Sequence, residues 1–345
     1  MGRQSLWGTI LLLGLLALVG LGMWKTGGRN APPQVLMPRR IEGVMGTDAT
    51  LAVVLHPNDR LLGADALQEA EQSLRDAEAE LSTWIHRSEL GRLNRAKATV
   101  EVPLSAHARQ LLQTARRAHR ETGGVFDITC RPVIELWRTA GQRKQLPTDD
   151  QIAAAQNESN WGTFELTDRG AKKRKPTARV DLGGIAKGYA IDQALGVLSR
   201  SGIAGGLVNI GGDLACFGHP PAGEAWEVDV QHPFRDGPFG TLQIAGGAVC
   251  TSGNYRRFTE IDGRRYSHII DPRTGRPAEQ TASVTVLADS ALTADIWATA
   301  LSILGTDGFG RLPAGVEAMV IEGDRDDYRV HATGVFWQQL QRNSR

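Results

Sequence analysis

Leu67, Ala70, Leu74, Ala77 and Leu81 recur three or four residues apart, which places them on one helical face and predicts an amphipathic helix over residues 64–83. A second helical stretch runs from Ala106 to Glu121 and stops at Gly123-Gly124. A third starts near Ile185 and ends before Gly202, and a fourth covers Ala291 to Leu304, stopped by Gly305. Strand patterns lie among them. Leu207 to Ile210 is a short apolar run, Trp226 to Val230 alternates with period two, and Ser283 to Val286 does so less strictly. Residues 315–322 and 328–332 read as a terminal hairpin, and Val180-Asp181 as the end of another strand. Helices and strands mix without a regular βαβ repeat, which predicts an α+β fold. No internal repeat and no boundary between Ile41 and Trp337 divides it, so one globular domain over residues 41–345 is expected.

The amino terminus follows a different pattern. No charge lies between Arg3 and Lys25, and Trp7 to Trp24 is almost wholly apolar. At about 1.5 Å per residue such a helix just spans a bilayer core of roughly 30 Å, with the two tryptophans at its interfaces. A cleaved signal peptide is the alternative. Leu21 to Lys25 is a poor cleavage context and no cysteine nearby could accept lipid, so residues 1–25 are expected to form an uncleaved anchor. Thr26 to Arg40 contains Gly27, Gly28, Pro32, Pro33 and Pro38 and reads as a linker.

With 345 residues, 41% hydrophobic and 22% charged, the chain can bury a large core. A formal net charge of +1 argues against a nucleic-acid partner. Lys172 to Lys175, the nearest thing to a basic block, reads as a solvated loop. Cys130, Cys216 and Cys250 are too few and too far apart for a disulfide framework or a metal knuckle, and read as small buried residues, with one oxidised pair as the alternative.

The candidate chemistry gathers at glycine turns. In Asp181-Leu182-Gly183-Gly184-Ile185-Ala186-Lys187-Gly188, a tight turn feeds a helix with a lysine one turn in, an arrangement suited to phosphate or pyrophosphate. Asn209 to Asp213, Thr251 to Tyr255 and Gly123 to Thr129 are three further turns of this kind. Asp295 and Thr299 stand four apart on the fourth helix and share a face, where carboxylate and hydroxyl could supply hard oxygens to Mg²⁺. That helix is apolar nearly all round, so a buried Asp295 needs a partner or a metal. In Ser267 to Gly275, Asp271 fits ordinary turn chemistry, while His268 is either a general base or a satisfied structural histidine.

In sequence order these segments resemble the FAD:protein FMN transferases, the ApbE-like flavin transferases. Met45-Gly46-Thr47, Ser82-Thr83-Trp84, Ser88-Glu89-Leu90, Leu93-Asn94, Phe126-Asp127, Asp181 to Asp192, Asn209 to Asp213, Thr251 to Tyr255, Ser267 to Gly275 and Ala294 to Thr299 carry the match over residues 41–335. The resemblance implies a T-fold-like α+β domain that binds FAD and Mg²⁺. It implies flavin-nucleotide contacts at Met45, Trp84, Phe126, Asp127, Asp181, Lys187 and Ile269. It implies metal ligands at Asp295, Thr299 and the backbone of Gly184, with His268 as catalytic base. Ile128 to Pro132 departs from the family's usual Pro-Thr-Val-Gly-Pro, and the lipidated cysteine is absent. The implied reaction is transfer of FMN from FAD to a threonine hydroxyl of a partner protein, with release of AMP. An FAD pyrophosphatase and a non-catalytic flavin-binding protein are the alternatives. A bacterial inner-membrane location, with the domain on the periplasmic side and an envelope redox subunit as acceptor, completes the expectation.

Overall fold

The computed structural model describes residues 33–253 and 258–342. Its frame is an eight-stranded sheet whose spatial order equals its sequence order, with every neighbouring pair antiparallel. The strands are β1 (Val35–Val44), β2 (Thr47–Leu55), β3 (Gly205–Ile210), β4 (Asp213–Phe217), β5 (Gly247–Gly253), β6 (Thr281–Ala288), β7 (Glu317–Gly323) and β8 (Tyr328–Ala332). The helices are α1 (Arg60–Leu81), α2 (Glu89–Arg95), α3 (Ala106–Glu121), α4 (Arg131–Arg143), α5 (Asp149–Glu158), α6 (Ala186–Arg200), α7 (Ala291–Leu304) and α8 (Gly334–Gln339).

This order fixes where the loops gather. The β1–β2 turn, the β3–β4 turn and the excursion from β5 to β6 all leave the same end of the sheet. Both tight turns have two consecutive positive φ values, +52° and +77° at Met45-Gly46 and +63° and +106° at Gly211-Gly212. That backbone matches the twist of antiparallel strands and favours glycine.

The sheet is the middle of three layers. On β2, Leu51, Val53 and Leu55 enter the core shared with the helices, while Val54 faces the other way. On β7, Ala318 and Val320 take the first face and Met319 and Ile321 the second. The second face is covered by a three-stranded sheet (Trp226–Gln231, Pro238–Ile244, Leu340–Arg342) and by Phe336 of α8. The long helices α1, α3, α6 and α7, gathered on one face of an antiparallel sheet, make the expected α+β arrangement in a single domain.

Helices α6 and α7 cross at their glycine and alanine faces. A Cβ on Gly188 would lie 2.3 Å from the Ala291 carbonyl oxygen. Asp192 of α6 accepts the Ala291 and Leu292 N–H groups at 2.8 and 2.9 Å, satisfying donors that the first turn of α7 leaves open.

Two expectations are corrected. β1 begins at Val35, so residues 35–40 belong to the sheet rather than to a linker, and the folded domain starts before Ile41. Pro38 is tolerated because β1 is an edge strand. Lys172 and Lys173 belong to the strand Gly170–Lys173 rather than to a solvated loop, and Lys173 is buried. The apolar segment from Trp7 to Trp24 lies outside the described residues; among the described residues no helix is long and apolar enough to cross a membrane. Cys130, Cys216 and Cys250 are buried and free, as small apolar residues would be.

Replacing Gly188 with Ala forces α6 and α7 apart, and overpacking of this kind costs about 1–3 kcal/mol. The urea midpoint of the purified variant should fall accordingly. An unchanged midpoint would show that the helices separate freely.

Candidate active site

The segment entering α6 is not a strand. Asn94 holds Val180 from both sides, donating from Nδ2 to its carbonyl at 2.9 Å and accepting its N–H on Oδ1 at 2.8 Å. A side chain thus supplies the pairing that a neighbouring strand would give. Lys173, only 1% exposed, donates from Nζ to the carbonyls of Asn94 and Pro176. Burial pushes its ammonium down to about 8. Asp181 donates its N–H to the Ile128 carbonyl at 2.7 Å and accepts the Gly183 N–H on Oδ1 at 2.8 Å, closing the glycine turn.

Beyond the turn, α6 meets α7. The backbone of Gly184 passes so close to Thr299 that a Cβ there would lie 2.6 Å from Oγ1. Asp295 is 3% exposed and accepts the Gly188 N–H on Oδ2 at 3.0 Å. Lys187 forms an ion pair with Asp213, whose Oδ1 accepts the Thr251 N–H at 2.9 Å. Burial raises the Asp295 carboxyl, against the Lys187 charge and the Gly188 N–H. Burial also raises Asp192, and the nearby Asp295 adds to the shift.

Lys187 is paired with Asp213, so Asp295 shares that ammonium with another carboxylate and has the carboxyl of Asp192 nearby. Of the three predicted metal residues, Gly184 touches Thr299, and Thr299 stands one turn from Asp295 on α7. Carboxylate, hydroxyl and backbone carbonyl are all hard oxygens, and a Cβ at Gly184 would press directly on the Thr299 side chain. These residues fit Mg²⁺.

A second group stands beside the turn. Trp84 is 63% exposed, with the Arg131 and Arg138 guanidinium carbons 4.7 and 5.4 Å from its ring centroid. Arg131 also donates to the Thr83 carbonyl at 3.2 Å and lies 3.9 Å from Asp181 Oδ2. Phe126 and Asp127 precede α4. Asp127 Oδ1 accepts from the Thr129 N–H and hydroxyl at 2.8 and 2.7 Å, and Oδ2 lies 3.3 Å from His119 Nδ1. Burial raises the Asp127 carboxyl, with the Thr129 hydrogen bonds and His119 opposing it. Met45 donates its N–H to Glu78 Oε1 at 2.9 Å, and its hairpin lies against Gly211, whose N–H donates to the Asp48 carbonyl at 3.1 Å. Met45, Asp213 and Lys187 thus share one end of the sheet.

The excursion from β5 to β6 carries His268 and Ile269. His268 is exposed at the end of the strand Arg264–Ser267, and Ile269 is buried with its N–H on Ser267 Oγ at 3.0 Å. Asp271 is structural, as its turn predicts; it accepts the Arg273 N–H and pairs with the Arg273 guanidinium at 2.8 Å. Trp137 of α4 donates to the Gly275 carbonyl at 2.8 Å, and Gln156 of α5 to the Pro272 and Arg273 carbonyls at 3.1 and 3.0 Å. These contacts fasten the excursion to α4 and α5, the scaffold that also carries Arg131 and Arg138.

A family model described as the ApbE family matches residues 45–320. The chain belongs to the ApbE family. It is 37% identical over 261 residues to the FAD:protein FMN transferase of Salmonella typhimurium, covering 71% of this chain and 75% of that protein. The structure of the flavin transferase ApbE from Vibrio cholerae superposes with a TM-score of 0.76 at 29% identity, over 89% of this chain and 99% of that one. The ApbE protein of Thermotoga maritima gives 0.78 at 26% identity, over 89% and 100%.

Arg131, which joins Trp84, the Thr83 carbonyl and Asp181, escaped the sequence reading. It follows the Ile128–Cys130 turn, inside the segment that departs from the usual pattern. Its signal was the spacing of Val133, Trp137 and Ala140 behind Pro132, which marks a helix and places Arg131 in its first turn.

Asp127, Asp192 and Asp295 all have folded-state carboxyls raised above the ordinary 3.8. Their protonation supports the metal-free fold at low pH, and that support is lost as pH rises through the raised values toward neutrality. Replacing Asp295 with Asn should therefore raise the melting temperature of metal-free protein at neutral pH by a few degrees, a gain that shrinks on acidification. Circular-dichroism melts across pH check this, and a lower melting temperature at neutral pH would show that Lys187 and the Gly188 N–H outweigh burial.

Proposed function

We propose that this chain transfers FMN from FAD to a threonine hydroxyl of a partner protein and releases AMP. One observation carries the reading. Asp295 is a buried carboxylate beside Thr299 and the Gly184 backbone, next to a glycine turn and a lysine. Pyrophosphate cleavage needs placement and charge neutralisation more than covalent help from the protein. Asp295, Thr299 and the Gly184 carbonyl would hold Mg²⁺, which would supply charge neutralisation at the phosphates.

The chain's own residues do the rest. The positive end of α6 favours the charge of the pyrophosphate, and Lys187 adds an ammonium. Met45, Trp84, Phe126, Asp127, Asp181 and Ile269 hold the rest of the nucleotide, Trp84 by offering an exposed ring to stack. His268 takes the proton of the incoming threonine hydroxyl. The threonine oxygen bonds to the FMN phosphorus as the bridging P–O bond breaks, and AMP leaves with the bridging oxygen. The apolar segment from Trp7 to Trp24 supports a membrane anchor, with the domain on the periplasmic side of a bacterial inner membrane and an envelope redox subunit as acceptor.

Incubating the protein with FAD, Mg²⁺ and a candidate acceptor should give a covalent FMN mass shift and stoichiometric AMP. His268→Ala should lose transfer by about 10²-fold or more while FAD still binds. Asp295→Ala should lose the metal-dependent turnover. Flavinylation by His268→Ala at the wild-type rate would sink the base assignment, and free FMN in place of labelled acceptor would show that water is the true acceptor.

A further inference from the structure

Asp213 stands where the separate parts of the site meet. It opens β4 directly after the Gly211-Gly212 turn and is 2% exposed. Its Oδ1 accepts the Thr251 N–H of β5 at 2.9 Å, and its Oδ2 pairs with Lys187 Nζ. One oxygen is therefore fixed to the sheet while the other grips a lysine whose side chain is 29% exposed. A lysine stem is long and flexible, so its ammonium needs such an anchor to hold one place.

Lys187 has a second carboxylate within reach of its charge. The next residue along α6, Gly188, donates its N–H to Asp295 Oδ2 at 3.0 Å, which places that carboxylate beside the lysine's own turn of helix. A lysine drawn onto Asp295 would cover the oxygens that suit a divalent cation. A divalent cation on Asp295 would in turn repel the ammonium. Either outcome costs the site one of its two positive charges.

We propose that Asp213 is a positioning residue that holds Lys187 off Asp295, so that the lysine and a divalent cation serve the pyrophosphate together. This rests on the proposed function for the identity of the ligand. The pairing itself is tested by the metal alone.

The test titrates Mg²⁺ into FAD-free protein by calorimetry and FAD into Mg²⁺-loaded protein by flavin fluorescence. It uses wild type, Asp213→Asn, Lys187→Met and the double variant. Asp213→Asn keeps an acceptor for the Thr251 N–H but loses the charge. It should bind Mg²⁺ about tenfold more weakly, because Lys187 moves onto Asp295. Adding Lys187→Met should restore wild-type Mg²⁺ affinity, an outcome that a general loss of structure cannot produce. FAD binding should fall about tenfold in each single variant and no further in the double, since both act through one ammonium. Should Asp213→Asn alone fail to fold, the double variant, free of both charges, carries the same reading: wild-type Mg²⁺ affinity with weak FAD binding. Wild-type Mg²⁺ affinity in a folded Asp213→Asn, weak Mg²⁺ binding in the double, or single losses in FAD binding that multiply would each overturn the proposal. A wild-type protein that binds no FAD would overturn the proposed function and leave the Mg²⁺ comparison standing.

Discussion

The antiparallel contact between α6 and α7 is the constraint on which the site depends. Gly184 meets Thr299, Gly188 meets Asp295, and Asp192 meets Ala291 and Leu292. The contacts step by four residues on α6 and run the opposite way along α7, so each helix presents one face. Two of them are reciprocal, since α6 donates a backbone N–H to a carboxylate of α7 and α7 donates two to a carboxylate of α6. Such close approach is possible only where a side chain is missing, and Gly188 is that place. The result is a carboxylate 3% exposed whose burial is not fully offset by the protein. The fold bears this cost at the place proposed for Mg²⁺.

The sheet turns that local contact into a site. Because its eight strands follow sequence order, turns and excursions that leave one end stay together without any need for long crossovers. Met45 arrives on the β1–β2 turn, Asp213 after the β3–β4 turn and Thr251 near the end of β5. Lys187 reaches the same end from the first turn of α6. Burial on both faces makes the sheet a stiff plate, so these groups keep their spacing when a ligand arrives.

Much of this was legible in the sequence, and what was not had physical causes. Helices α1, α3, α6 and α7 were visible because each puts a broad apolar stripe into the main core. Helix α4 was missed because its buried positions, Val133, Trp137 and Ala140, serve a small satellite cluster with Ile261, Tyr266 and Ile270. β1 was hidden behind Pro38, which an edge strand accepts and a central one does not. Val180 resembled a strand end because it is paired as one, though by Asn94, 86 residues away. At the site, residue types and the spacing of Asp295 and Thr299 were readable. The pairing of Gly184 with Thr299 was not, since two residues so far apart in sequence meet only through the helix crossing. The family resemblance supplied that link, and the α6–α7 contact gives its physical reason.

The site divides into a stiff half and an open half. Asp295, Thr299, Lys187 and Asp213 sit on packed helices and central strands, a stiff setting that suits the proposed pyrophosphate. Trp84 projects on a turn between α1 and α2, largely exposed and flanked by Arg131 and Arg138. An exposed ring among cations captures another ring by stacking and tolerates small shifts in its position. Arg131 couples the halves, reaching Trp84, the Thr83 carbonyl and Asp181 from one guanidinium. Its first-turn place on α4 also ties it to the scaffold under the His268 excursion, through Trp137 and the Gly275 carbonyl. Trp84, proposed to stack on the nucleotide, and His268, the proposed base, therefore share one support, and a shift of α4 moves both relative to the buried carboxylate.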